Sequence, residues 1–156
     1  MFALDEGDLD RAQSLMEQAR SLSRDHDDAW AEASDIANLG AVALERGDAD
    51  DAGTLLRRAL IVLHEAGDAE AMAETLGRLA GVAAAKGQAE RAAQLSGASD
   101  ALMRKIGAGL ADYDHKRLER HLARAQSALG ENEYESLEQR GAGMTPEDAM
   151  DYGLTP

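Results

Sequence analysis

One short corner is written three times at a shift of 40 residues: "ALDEGDLDRA" (Ala3–Ala12), "ALERGDADDA" (Ala43–Ala52) and "AAAKGQAERA" (Ala83–Ala92). At that shift Gly7, Gly47 and Gly87 align, followed by Ala12/Ala52/Ala92, Leu15/Leu55/Leu95 and Leu22/Val62/Leu102. The other half of the unit aligns through Ile36/Leu76, Leu39/Leu79, Val42/Val82 and Ala43/Ala83. A fixed period of this size means stacked copies of one supersecondary unit, none of which buries its apolar face alone.

Within each half the apolar residues recur at spacings of three and four, the pattern of an amphipathic helix. Gly47 and Gly87 fall where one periodic run stops and the next starts, the place of a left-handed glycine just past a helix C-terminus. Asp48 and Asp68 follow such glycines and suit the N-cap of the next helix. The spacing predicts helices near 8–25, 28–46, 48–66, 68–86 and 88–106. The expected fold is all-α: a right-handed α-solenoid of helical hairpins with a period of ~40 residues, closed by a C-terminal helical cap. Residues 1–106 form the repeats and 107–156 the capping helices, in one continuous domain. The first unit lacks most of its first helix, which is reduced to "MFAL".

Composition supports helix. The chain has two prolines and few aromatic residues (one Trp, three Tyr, one Phe), a mixture that disfavours a β-sandwich. Residues 1–70 carry 17 acids against 6 bases, 71–130 carry 6 against 9, and 131–156 carry 7 against 1. A net charge of −14 argues against nonspecific nucleic-acid or anionic-membrane binding, while the positive middle suits an acidic partner or its own neighbours. There is no cysteine, so disulfides and thiolate metal sites are excluded. The N-terminus has neither the basic nor the apolar region of a signal peptide, and no apolar run has the length of a membrane span. The expected location is cytoplasmic.

"L-G-x2-A-x8-A-x3-L-x2-A", formed by Leu39, Gly40, Ala43, Ala52, Leu56 and Ala59, resembles the tetratricopeptide repeat, with Ala for the usual Tyr and Leu for the usual Phe. Leu79, Ala80, Ala83, Ala92, Ser96 and Ser99 repeat the spacing and weaken toward its end. The period is longer than the family's usual ~34, implying longer helices or loops. The last third, through "LSGASDALMRKIGA", "LARAQSALGENEYESL" and "GAGMTPEDAM", is similar to the closing segment of large bacterial regulators. In those a helical array follows a signal-transduction ATPase of the LuxR-like or cyclase-associated kind. Such an ATPase would lie outside this chain, which has no G-x4-G-K-[ST] loop. In the tail, Thr145 suits an N-cap, Pro146 the first helical turn, and Glu147 and Asp148 the positive helix end.

Catalysis finds no support: there is no Ser/His, His/carboxylate or metal-ligand constellation. No helix-turn-helix is evident either. The expectation is a non-enzyme with no cofactor and no metal. "DHDD" (Asp25–Asp28) lacks the spaced ligands of a calcium loop and reads as a solvated loop with a helix cap. Lys116, Arg117, Arg120, His121 and Arg124 make a basic stripe on a helix near 113–129. It is read as a solvated face paired with the acidic tail, or as a site for an acidic partner.

The tetratricopeptide resemblance implies a concave groove, lined by the first helix of each unit, that holds a peptide or a partner's helix. Asn38 and Arg78 match positions where members of the family hold a peptide C-terminus, and Ser34, Ala37, Ala41, Gly77 and Gly81 complete the lining. Glu74 stands where such a carboxylate clamp has a lysine. The small residues either admit a partner helix or let long helices pack. Trp30, with Glu70 at its equivalent place, either covers the preceding helix or joins an interface.

Two functions follow as leading expectations. One is a protein–protein interaction or regulatory module, from a bacterial signalling or transcriptional regulator. The other is a self-associating scaffold, a homodimer through the N-terminal end, with Leu15, Met16 and Leu22 on the uncovered face of the first helix. A small-molecule-sensing arm is a third.

Overall fold

The computed structural model describes residues 8–108 and 112–156. Among them are eight α-helices and no strand: α1 Leu9–Asp25, α2 Ala29–Glu45, α3 Ala49–Glu65, α4 Ala69–Ala85, α5 Ala89–Ile106, α6 Asp112–Leu129, α7 Glu131–Ala142 and α8 Pro146–Leu154. Among the described residues no helix is long and apolar enough to cross a membrane.

The first five helices start at residues 9, 29, 49, 69 and 89, so the elementary step is 20 residues and the 40-residue period is two steps. Local chemistry sets each step. Asp8, Asp28, Asp48 and Asp68 accept hydrogen bonds from the backbone N–H three residues on, at 3.1, 2.9, 3.2 and 3.0 Å. Each satisfies one of the N–H groups that a helix start leaves without an intrahelical partner. Gln88, at the fifth start, makes no such bond. At the second corner Asp48 N–H reaches Ala43 O (2.9 Å) and Gly47 N–H reaches Leu44 O (3.0 Å), a Schellman closure with Gly47 at φ +86°. The first corner puts Asp27, not glycine, in that left-handed role.

Alternate helices play different roles. α2 buries nine residues and α4 eleven, against two in α1. α2 packs on α3 and α4 on α5, and Leu56, Leu60, Leu63, Leu76 and Leu95 are fully buried between them. Even the surface repeats: Arg46 pairs with Asp10 as Lys86 pairs with Asp50, 40 residues further on.

α1 rests on α2 over a smaller cluster of Ala12, Met16, Leu39, Ala41 and Val42. The face expected for self-association is therefore divided. Met16 is 7% exposed and belongs to this core, which corrects its assignment to the surface, while Leu15 and Leu22 stand out at 50% and 61%. The reason is the rotation of α1: the row through Ala12 and Met16 meets α2, so the next row faces solvent.

The C-terminal helices fold back on the repeats. α7 packs on α5, and α8 touches α3, α4 and α5. Thr145 caps α8 with a reciprocal bond from Asp148, and Pro146 opens its first turn. Arg91 on α5 closes the other end, its guanidinium donating to the carbonyls of Tyr152 (2.7 Å), Gly153 and Thr155 while lying 4.8 Å from the centre of the Tyr152 ring.

Candidate functional site

The α2 and α4 helices present neighbouring faces of small residues, and the chain's own α6 lies against them. The cleft between the three is lined by Ala41, Leu44 and Glu45 of α2, Glu74, Gly77 and Arg78 of α4, and Arg117, Leu118 and His121 of α6. The glycines pack tightly within the repeats and only at ordinary distance against α6: a methyl on Gly77 would lie 3.1 Å from Ser99 Oγ and 3.4 Å from Leu118 Cδ2, and one on Gly81 3.0 Å from Leu44 Cδ2 and 3.5 Å from His121 Cβ. The free volume is about 40 Å³, enough for a few water molecules and far below the ~300–1,000 Å³ of a small-molecule site.

The polar centre of the contact is Glu45, at the C-terminal end of α2. Its Oε1 lies 2.8 Å from His121 Nε2 and 3.5 Å from Arg117 Nε, and its Oε2 lies 3.6 Å from Arg120 Nη2. Burial opposes ionisation of Glu45, but the His121 hydrogen bond and the charges of His121, Arg117 and Arg120 outweigh it. The carboxyl is held below its ordinary range. An ionised carboxylate only accepts, so His121 carries its proton on Nε2. Arg117, Arg120 and His121 of the basic stripe thus turn to Glu45 of α2, while Lys116 and Arg124 stay on the solvated face.

The rest of α6 is lightly held. Of its described side chains Leu122 and Ala125 are buried, and Leu118 and Leu129 are partly so. Burying one leucine contributes about 1.5–3 kcal/mol and an alanine less, so the docking of α6 rests on a few such contacts and the Glu45 cluster.

The expected groove residues separate. Arg78 and Glu74 line the cleft and approach each other to 3.8 Å along α4. Asn38 is half-buried on α2 outside this lining. The Ser34 hydroxyl donates to Trp30 O of its own helix (3.2 Å). Trp30 is 49% exposed, with its indole N–H donating to Asp68 at 2.8 Å, so the N-cap of α4 also holds the tryptophan. Among the described residues no group of three or more His, Cys, Asp or Glu is arranged to hold a metal ion. Glu45 and Leu118 are cleft residues that the sequence did not single out. The only signal was the four-residue spacing of Gly77 and Gly81, which marks close helix approach without naming the helix.

A second polar cleft lies between α5 and α7, lined by Asp100, Arg104, Glu135 and Glu138. Burial raises the pKa of Asp100, and burial together with Asp100 raises that of Glu138. Nearby, burial pushes the Tyr134 phenol up to about 12.

Compared with known proteins, the chain matches no family model, no curated protein and no solved structure.

Proposed function

We propose that this chain is a non-enzymatic protein-interaction module: a right-handed solenoid of tetratricopeptide-like hairpins whose first helices, α2 and α4, form the binding face. The observation that carries this reading is that a helix, α6, already lies in the cleft beside α2 and α4, with Leu118 and His121 next to Gly77 and Gly81. The tail motifs "LGENEYE" and "MTPEDA" support a place in a bacterial regulator, with the module restraining an output domain.

The test is site-directed photocrosslinking in the source cell. A crosslinking residue at Ser34, on α2, is expected to capture a protein partner, whereas one at the corner residue Lys86 captures none. Equal capture from both, or none from Ser34, removes the reading.

A second reading, self-association through α1, is favoured by the exposure of Leu15 and Leu22 at 50% and 61%. It requires a dimer by light scattering at tens of micromolar that Leu15→Glu converts to monomer. A monomeric wild type excludes it.

A further inference from the structure

We propose that the α2–α4 face is an exchangeable helix-binding surface held closed by α6, and that its external ligand is a basic amphipathic helix carrying a leucine with a histidine or arginine three residues later. The proposal rests on the interaction-module reading and specifies its site and partner.

Two kinds of helix contact in this chain differ in how they are closed. Where α7 crosses α5, backbone meets backbone: a methyl on Gly97 would lie 2.0 Å from Glu138 O, and one on Gly141 would lie 1.9 Å from Gln94 O. Nothing can be exchanged there without opening the fold. α6 packs on α4 and on α5 alike and reaches α2 only at the end of that helix, and a methyl on Gly77 or Gly81 would meet Leu118 or His121 at ordinary contact distances of 3.4 and 3.5 Å. α4 buries eleven residues, whereas α6 buries Leu122 and Ala125 among its described side chains. Such an element opens below the free energy of global unfolding.

Charge decides what can replace α6. Glu45 is the last residue of α2, where the helix dipole already concentrates negative charge, and its side chain is 16% exposed. A half-enclosed carboxylate in that position needs a cation from any helix that covers it. α6 supplies the cations Arg117 and Arg120 and the His121 Nε2–H as a hydrogen-bond donor. An acidic or neutral helix would leave Glu45 buried and uncompensated, whereas the net charge of −14 draws a basic helix in. Leu118 lies against Gly77, and His121, one turn on, covers Gly81 and meets Glu45. That leucine–x–x–donor register is the recognition pattern the face imposes.

The probe is a fluorescein-labelled synthetic peptide with the sequence of residues 112–129, titrated by anisotropy against the full chain. Leu118→Glu undocks α6 and leaves the α2–α4 face intact. It is expected to bind the peptide at least tenfold more tightly than wild type. Adding Glu45→Gln to that variant is expected to weaken binding about fivefold and flatten its salt dependence. Equal affinity for wild type and Leu118→Glu, or no binding to a Leu118→Glu chain of native helicity, overturns the proposal. Should Leu118→Glu not fold, hydrogen exchange of wild type decides. In 0.5 M NaCl the α6 amides are expected to exchange about tenfold faster while those of α2–α5 hold, and α6 exchange only through global unfolding overturns the proposal. Peptide exchange without Ser34 crosslinking would sink the interaction-module reading alone. Crosslinking without peptide exchange would keep the module and move its contact elsewhere.

Discussion

Gly97 on α5 faces the backbone carbonyl of Glu138 on α7 so closely that a methyl group on Gly97 would lie 2.0 Å from that oxygen. Gly141 meets Gln94 O in the same way at 1.9 Å, so the two helices touch along their backbones. The obstacle is main chain on both sides and cannot rotate away. Gly97→Ala and Gly141→Ala are each expected to destabilise the chain by about 3 kcal/mol or more, at the upper end of overpacking penalties. Gly143→Ala is the control: its nearest neighbour is Arg140 O at 3.5 Å, and the change is expected to stay within about 1 kcal/mol. Urea unfolding measures both, and a Gly97→Ala chain as stable as the control would refute the close approach.

The last helix depends on one residue outside it. Arg91 donates to three carbonyls at the C-terminal end of α8, supplying positive charge where the helix dipole is negative. Its own burial lowers its pKa, though an arginine stays charged at neutral pH. Arg91→Met keeps much of the aliphatic contact and removes the donors. The expected cost is about 1.5–3 kcal/mol, the range for hydrogen bonds to a charged group. Limited proteolysis should cut the segment after Thr145 first, and protection equal to wild type would show that apolar packing of α8 suffices.

Tyr134 is 4% exposed, and its hydroxyl, close to the Ser96 and Gln126 side chains, makes no hydrogen bond of good geometry with either. A buried unsatisfied hydroxyl costs about 1–3 kcal/mol. Tyr134→Phe keeps the ring and removes the unpaired group, so it is expected to be neutral or to stabilise by up to about 1 kcal/mol. Thermal unfolding decides; a loss greater than 1 kcal/mol would mean that the hydroxyl is satisfied in solution.

What could be read from the sequence follows the range of the interaction. The corners were legible because Asp48, Gly47 and Ala43 bond within six residues, and both ends of all five expected helices fall within one residue of those observed. Thr145 and Pro146 were legible for the same reason. Leu15 and Met16 share one amphipathic pattern, and their different fates depend on how α1 is turned against α2. The Glu45–His121 contact joins residues 76 apart, and nothing local to "ALERGD" marks its glutamate as the site of a distant helix. Gly97 and Gly141 read as helix punctuation, because a glycine that admits a backbone looks like any other until the partner is known.

The two acidic centres respond to pH in opposite directions. Glu45 faces His121, Arg117 and Arg120 from α6, with Glu74 and Arg78 of α4 lining the same cleft, and its pKa is lowered from 4.5. Its contribution is therefore fully present above the ordinary glutamate range and is lost as pH falls from there through its lowered folded-state pKa. Asp100 lies beside Arg104 and His115. Glu138 lies beside Asp100, Glu135, Arg104 and the Ser96 hydroxyl. Both have raised pKa values, so the folded state holds their protons more tightly, and acidification favours the α5–α7 contact as pH falls through those raised values to the ordinary carboxylate range, before the Glu45 contribution is lost. Between pH 7 and pH 4, exchange protection corrected for intrinsic rates is expected to fall for α6 and to hold or rise for α7. Glu45→Gln is expected to abolish the pH response of α6 and leave that of α7. Parallel loss in both helices would show that acid acts on the fold as a whole, and that the α6 contact is not a separable unit.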